Sequence, residues 1–325
     1  MNSFPGFFTK CFLLSHLFLL FNVSAAEQFP AHTVKILVGF ASGGTADVVA
    51  RILSPKMSDL LKQNVIIETR AGAGGNIATE QLIHSQPDGY TIMLGTIGSI
   101  AVNQHLNKLT YDPVTDIQAI SMATIFSNVL VVNASSNIKN LSDYINAGKK
   151  DSSSLSFGSS GIGSAGHLAG ESFKIMASLN IQHVAYRGGA PAMNDLLGGV
   201  LPSIFSSPSD ALQFIQSGKL RAIAVTGSSR LDVLPNVPTI SELGFPGYEA
   251  VNWYAFAAPL KTPPEISSRL NEVIVLALKD PSISLQLKKL GLTPYPASID
   301  ETSKYFRSES DKWGSIIKRS GIKAE

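Results

Sequence analysis

The chain has 325 residues, with 26 basic and 24 acidic side chains, one cysteine and a net charge of +2. Such a balanced charge gives no indication of a nucleic-acid partner or of binding to an anionic membrane surface, so neither is expected. A single cysteine excludes an internal disulfide and a thiolate metal centre. The length is too great for one ordinary core and predicts about two domains.

The first 26 residues have the layout of a secretory signal peptide. Lys10 is their only charged residue, an apolar stretch runs from Cys11 to Phe21, and small residues follow up to Ala26. The apolar stretch is about half of the ~20 residues that a membrane-spanning helix needs, so we expect cleavage near Ala25 or Ala26. The residues before Cys11 do not form a lipobox. The sequence therefore predicts an exported, periplasmic protein without cysteine.

The mature chain opens with a strand, a Gly-rich elbow and an amphipathic helix. Residues 34–38 (VKILV) are apolar and β-branched, residues 40–44 (FASGG) form the elbow, and helical periodicity starts at Thr45. The unit repeats with a strand at 64–69, an elbow at 70–75, a helix at 77–84, and a strand at 90–95 that ends in an elbow at 95–99. Alternating strands and helices predict a parallel sheet, whose ligands bind beyond the carboxyl ends of the strands.

A second α/β unit begins near residue 125. Its predicted strands cover residues 129–132, 155–158, 182–185, 203–205 and 221–225, and elbows follow at 159–164, 186–189, 206–208 and 226–228. After a Pro/Gly-rich run, the chain continues with a strand at 251–258 and helices at 264–279, 281–290 and 299–318. This tail has too few strands for a third domain, so we expect it to fold back on the first.

Several chemistries are possible at the elbows. None carries the lysine of a Walker phosphate loop, and no G-x-S-x-G motif provides a nucleophile. Residues 161–166 read G-x-G-x-x-G, the motif of dinucleotide-binding loops, but the ribose-binding acid expected about 20 residues later is missing. Arg187 could bind a 2′-phosphate instead, so an NADP-like cofactor stays an open alternative. The histidines are scattered, so no metal site is expected. His167 is the only one near an expected cleft, in the first turn of its helix, where a histidine more often supports a loop.

Recognition without reaction is the remaining possibility. A helix N-terminus presents free N–H groups and a partial positive charge, and glycine lets a ligand approach the backbone. Two such elbows, one per domain, would hold a small carboxylate reversibly and without an arginine. The alternative is that the glycines only close tight turns.

Seven segments, in order along nearly the whole mature chain, resemble the Bug family, the extracytoplasmic solute-binding proteins of tripartite tricarboxylate transporters. The segments are VKILVGFASGGTADVVAR (34–51), RAGAGGNIATE (70–80), PDGYTIMLGTIGSIAVNQHL (87–106), GSSGIGSAGHLAGE (158–171), HVAYRGGAPAMNDLLGG (183–199), GKLRAIAVTGSSRLDVLPNVPTISELGFPGYE (218–249) and WYAFAAP (253–259). The resemblance implies a type II periplasmic-binding fold: two α/β lobes, each with a mostly parallel sheet flanked by helices, two crossovers, and a ligand cleft between them. The expected boundaries are 1–26 for the signal peptide, 27–125 plus 252–325 for lobe 1, and 126–251 for lobe 2.

The resemblance also implies the residues that line the cleft. In lobe 1 they are Phe40, Ala41, Ser42, Gly43, Gly44, Thr45, Asp47, Thr96 and Ile97; in lobe 2 they are Ser159, Ser160, Gly161, Gly163, Ser164, His167, Tyr186, Arg187, Ser206 and Ser207. Ser42 stands where many relatives have proline, and Ser206 and Ser207 stand where many have an acid or an amide. Asp47, in a first helical turn, is expected to cap its loop, with contact to a ligand amine as the alternative.

The expected function is that of a monomeric carrier that closes over a small organic acid or amino-acid-like ligand and delivers it to membrane subunits of a tripartite tricarboxylate-type transporter. We expect no catalytic residue, metal or cofactor. Two alternatives remain open: a ligand-sensing module for a sensor kinase, and an exported NADP-using enzyme.

Overall fold

Apart from Met1, the computed structural model describes residues 29–151 and 155–323. The expected signal peptide lies outside the described residues. The strands are β1 Val34–Val38, β2 Val65–Thr69, β3 Thr91–Thr96, β4 Ile117–Ser127, β5 Val129–Asn133, β6 Ser156–Ser159, β7 Gln182–Ala185, β8 Ser203–Ser206, β9 Leu220–Val225, β10 Val251–Pro259 and β11 Thr293–Pro294. The helices are α1 Thr45–Leu61, α2 Asn76–Ile83, α3 Asn103–Leu106, α4 Leu141–Lys150, α5 Ala165–Ala177, α6 Gly189–Leu197, α7 Pro208–Gln216, α8 Pro264–Lys279, α9 Pro281–Lys289 and α10 Ile299–Ser320. None of the described helices is long and apolar enough to cross a membrane.

The strands form two sheets. Sheet 1 has the order β11-β4-β10-β3-β1-β2, and sheet 2 has the order β7-β6-β8-β5-β9. Both sheets are mixed, although the sequence predicts mostly parallel ones. The reason is that the strand entering each sheet after a crossover lies between two strands that run in the opposite direction: β10 is antiparallel to the earlier strands β3 and β4, and β5 is antiparallel to the later strands β8 and β9.

Sheet 1 is covered by helices on both faces. Alternate residues of β1 show this, since Ile36 packs with α1 and α8 while Leu37 packs with α2 and α10. The helices of the tail thus pack on sheet 1. Sheet 2 has its own aromatic core around Phe157, Phe173 and Phe205.

Two segments connect the sheets. Asn128 joins β4 to β5, and the chain returns between β9 and β10. Thr226 bonds to both segments: its hydroxyl accepts from the backbone N–H of Asn128 at 2.8 Å and donates to the carbonyl of Ala250 at 2.7 Å. The crossings expected near residues 125–128 and 250–253 meet these segments only at residues 128 and 250, since β4 runs to Ser127 and β10 begins at Val251, and the lobe boundaries stay predictions.

Candidate functional site

Four helix N-termini converge on a cavity between the two sheets. Its space between atoms is about 370 Å³, with open solvent at the mouth included. The helix ends contribute Gly44, Thr45 and Ala46 from α1, Ser164 and Ala165 from α5, Gly189 from α6, and Ser207 and Asp210 from α7. The wall is completed by Phe40, Thr96, Ser160, Asn252 and Tyr254. We call this space the central cleft.

The first elbow is braced by Asp47. This carboxylate is 3% exposed, accepts from the N–H of Gly43 at 3.0 Å and pairs with Arg51 at 2.8 Å. Gly43 has φ +84°, a conformation that favours glycine. Since intrahelical bonding starts with Val48 N–H donating to Gly44, the amides of Thr45 and Ala46 lack an intrahelical acceptor.

The second elbow is held by two buried histidines. Nδ1 of His167 accepts from the N–H of Gly163 at 3.1 Å, and Nε2 of His183 lies 2.7 Å from the hydroxyl of Ser159. Burial lowers the pKa of His167 to about 4 and that of His183 to about 3, so both rings are neutral at physiological pH. Ser164 caps α5 by accepting from the His167 N–H. The histidines therefore support the loop from behind.

The first elbow and the start of α1 contact the elbow at 186–189 and helix α7 across the central cleft. The N–H of Ala41 donates to the carbonyl of Arg187 at 3.1 Å. The Thr45 hydroxyl donates to Oδ1 of Asp210 at 2.8 Å and lies 2.6 Å from the Ser209 hydroxyl. These bonds join α1 beside sheet 1 to α7 beside sheet 2, so the structure holds the cleft in a closed conformation.

The central cleft is lined by one charged side chain, and that side chain is an acid. Burial raises the pKa of Asp210 to about 6, and hydrogen bonding to Thr45 only partly offsets the rise. Burial, with a smaller contribution from the charge of Asp210, also raises the pKa of Tyr254. An anion in this cleft would be held by backbone amides and hydroxyls.

Two further cavities adjoin the central cleft. In an outer cavity, residues 72–74 face residues 160–162, and Tyr186 and Arg187 line it; its space between atoms is about 820 Å³, with open solvent included. An inner cavity lies beside the crossovers and is lined by Asn128 and Ser206; its space between atoms, again with open solvent included, is about 250 Å³.

The structure brings together some of the predicted site residues and separates others. The central cleft is lined by Phe40, Gly44, Thr45, Thr96, Ser160, Ser164 and Ser207. The outer cavity adds Gly161, Tyr186 and Arg187, and the inner cavity adds Ser206. None of these three cavities is lined by Ala41, Ser42, Gly43, Asp47, Ile97, Ser159, Gly163 or His167. Ile97 is fully buried in the core of sheet 1, and the Ser42 hydroxyl lies 3.2 Å from that of Thr69.

Sequence reasoning missed six residues that line the central cleft: Ala46, Ala165, Gly189, Asp210, Asn252 and Tyr254. A signal was present for Gly189, which closes a predicted elbow, and for Asp210, an acid in the first turn of a helix that follows an elbow. The positions of Asn252 and Tyr254 depend on the insertion of β10 into sheet 1.

The comparison with known families matches residues 49–322 to the tripartite tricarboxylate transporter family receptor. The chain belongs to this family. Bug-named relatives confirm the predicted resemblance: BugT of Bordetella pertussis is 34% identical over 92% of each chain. The receptor family consists of periplasmic solute-binding proteins and not of enzymes.

Two solved structures of ligand-bound proteins are similar to this chain. An R. palustris protein with adipate is 33% identical, with a TM-score of 0.88 over 91% of this chain and 99% of that one. MatC from Rhodopseudomonas palustris with bound malate is 28% identical, with a TM-score of 0.85 over 89% and 100% of the two chains. These similarities confirm the predicted periplasmic-binding fold of two α/β lobes around a ligand cleft.

Proposed function

We propose that this chain captures a small carboxylate between its lobes in the periplasm and delivers it to a tripartite tricarboxylate-type transporter in the membrane. The observation that carries the proposal is the convergence of four helix N-termini on one cleft. Each helix end carries roughly half a positive charge, which favours an anion in the cleft. Such a site solvates a carboxylate without forming a permanent ion pair, which suits reversible carriage.

The predicted site residues are now proposed as a smaller set. The amides of Ala46 and Ala165 line the central cleft, precede the first intrahelical bonds of α1 and α5 and are the proposed carboxylate donors, whereas the amide of Thr45 is directed at Asp210. The hydroxyls of Thr96, Ser160, Ser164 and Ser207 line the same cleft. Asp47, Ser159 and His167 are proposed to hold the elbows in shape from outside the cleft.

Closure of the lobes would enclose the ligand and hold it in the cleft. The Thr45–Asp210 and Ala41–Arg187 bonds join segments that pack beside different sheets, so they exist only while the lobes are closed. A ligand that contacts both elbows stabilises the closed form by its differential affinity for that form.

We infer that the ligand is released unchanged. The serine–histidine pair of Ser159 and His183 resembles a catalytic pair in its 2.7 Å spacing alone. Both side chains are buried outside the three cavities, and the lowered pKa of His183, about 3, makes the imidazole a poor base at neutral pH.

A thermal-shift screen tests the proposal. The panel contains mono-, di- and tricarboxylates and amino acids, with adipamide as a control that keeps the length of adipate but lacks its charge. At 100 times its Kd, a true ligand stabilises the folded chain by about 2.7 kcal/mol, a shift of several degrees. The proposal fails if no carboxylate shifts the melting temperature, or if NMR shows that the bound carboxylate is converted to another compound.

A further inference from the structure

The inner cavity extends the central cleft towards the crossovers. Five residues line both spaces: Ser160, Gly189, Ser207, Asp210 and Asn252. Asn128 lies at the connection between β4 and β5 and lines the inner cavity but not the central cleft. A ligand held in the central cleft would therefore have a second polar compartment beside one of its ends.

Two buried amide groups in this compartment have no hydrogen-bond partner. They are Nδ2 of Asn128, whose residue is 1% exposed, and Oδ1 of Asn252, whose residue is 6% exposed. Buried polar groups are nearly always hydrogen-bonded, so this donor and this acceptor require an explanation. One donor and one acceptor complement a protonated carboxyl group, which accepts at its carbonyl oxygen and donates from its hydroxyl.

Asp210 is the charged residue of both compartments. Thr45 donates to its Oδ1, and its Oδ2 lies against Gly189, where any Cβ would overlap it. The ionisable groups on the elements packed against Asp210 provide no cation in either compartment. Tyr254 on β10 is neutral because burial raises its pKa, and Asp47 on α1 is paired with Arg51, outside both cavities. Arg187, ahead of α6, is exposed and lines the outer cavity, and α7 carries no other ionisable side chain. An ionised Asp210 would repel a carboxylate placed beside it.

We propose that the cleft binds a dicarboxylate together with one proton from the solvent, which the inner carboxyl group of the ligand shares with Asp210. The shared proton turns the repulsion of two carboxylates into one hydrogen bond, as in paired carboxylates that hold a proton between them. Asn128 and Asn252 complete the hydrogen bonds of the inner carboxyl group, and the outer carboxylate lies on the amides of α1 and α5. Because the pKa of Asp210 is already raised to about 6, little further rise is needed near neutral pH. This inference rests on the proposed function and narrows its ligand class.

Calorimetric titration measures the number of protons that the protein and ligand take up on binding. Adipate and malate are titrated at pH 7.5 into the full mature chain, in two buffers of different ionisation enthalpy. We expect an uptake of about one proton per ligand, and a Kd that weakens about tenfold between pH 7 and pH 8. Hexanoate, which keeps the six carbons of adipate without the second carboxyl group, should bind without proton uptake.

Variants assign the proton to Asp210. Asp210→Asn should bind adipate without proton uptake and with a Kd that no longer changes with pH. Asp143→Asn is the matched control, because Asp143 is also the third residue of its helix but is only half-buried, on α4 and outside the three cavities; it should keep both properties of the wild type. If Asp210→Asn does not fold, the comparison of adipate with hexanoate on the wild-type chain still tests whether the second carboxyl group of the ligand brings a proton into the cleft.

Three outcomes would overturn the inference. The first is binding of adipate or malate without proton uptake, and the second is uptake that persists in Asp210→Asn. The third is tighter binding of β-alanine than of adipate, lost in Asp210→Asn, which would assign Asp210 to a ligand ammonium. These results would leave the proposed function standing, whereas failure of every carboxylate in the thermal-shift panel would remove both.

Discussion

Gly98→Ala should block closure of the cleft without harming the fold. Gly98 starts a π-helical turn, Gly98–Val102, directly after β3, and its φ is ordinary for any residue. A Cβ at this position would lie 2.8 Å from the carbonyl oxygen of Gly163 and 3.5 Å from the Cα of Ser164. Both atoms belong to the elbow of the opposite sheet, so the clash exists only between the lobes.

The size of the effect follows from that geometry. Because Cβ contacts below 3.0 Å are essentially never found, the elbows must separate by a few tenths of an ångström. Overpacking of this kind costs about 1–3 kcal/mol, which corresponds to about a 5- to 150-fold weaker Kd for a ligand that needs closure. Replacing glycine by alanine within a helical segment should meanwhile stabilise the fold by about 0.5–1 kcal/mol. Affinity and melting temperature are therefore expected to change in opposite directions.

Calorimetry with adipate and a thermal melt without ligand measure the two quantities. Gly198→Ala is the control, because Gly198 is exposed at the end of α6 and its nearest contact is a carbonyl of its own helix at 3.3 Å. The control should leave the Kd unchanged. Wild-type affinity in Gly98→Ala would refute the reasoning, since the ligand-bound lobes would then not approach as closely as they do here.

Three further predictions concern the elbows and their ionisable groups. Thr45→Ala removes the hydroxyl that bonds to Asp210 across the cleft and should weaken adipate binding about tenfold, while Thr45→Ser should bind normally in the same titration; an equal loss in both variants would assign the effect to the methyl group. His167 and His183 are neutral in the folded chain, because burial lowers their pKa values to about 4 and about 3. The same side chains take up protons below about pH 6.5 in the unfolded chain. Each ring should therefore lower the free energy of unfolding by about 1.4 kcal/mol per pH unit as the pH falls below 6.5. Urea denaturation at pH 7.5 and pH 5 should show that His183→Gln loses less stability than the wild type, and equal losses would contradict this account. Burial raises the pKa of Asp210 to about 6, so the folded chain gains up to about 1.4 kcal/mol per pH unit as the pH falls from 6 towards 4. Asp210→Asn lacks this gain and should lose stability more steeply on acidification; a slope equal to that of the wild type would argue against a proton on Asp210.

Local signals in the sequence predicted much of the fold. The strand expected at 251–258 is Val251–Pro259, and the helix expected at 264–279 has the same bounds in the structure. The long strand Ile117–Ser127 was not predicted, because polar residues interrupt its apolar run. One of them, Ser121, is buried and donates to the carbonyl of Ala297 at 3.0 Å. Such a tertiary hydrogen bond leaves no trace in local periodicity.

The site was harder to predict than the fold. Elbows placed Thr45 and Ser164 at the cleft, because strand ends and helix starts can be recognised from glycine and periodicity. Asn252 lies within an apolar strand that reads as core, and only the antiparallel insertion of β10 brings it to the cavity. Ile97 was expected in the cleft wall, but the turn that begins at the next residue directs it into the core.

The threonine at the crossovers has a mechanical consequence. Since the hydroxyl of Thr226 bonds to both connecting segments, neither segment can lengthen or slide without breaking a buried hydrogen bond. Because the two crossovers are tied side by side, we expect the two lobes to move mainly by rotation at this point. A solute that contacts both lobes then has to stop mainly this rotation. The conformational entropy lost on ligand binding should therefore be small.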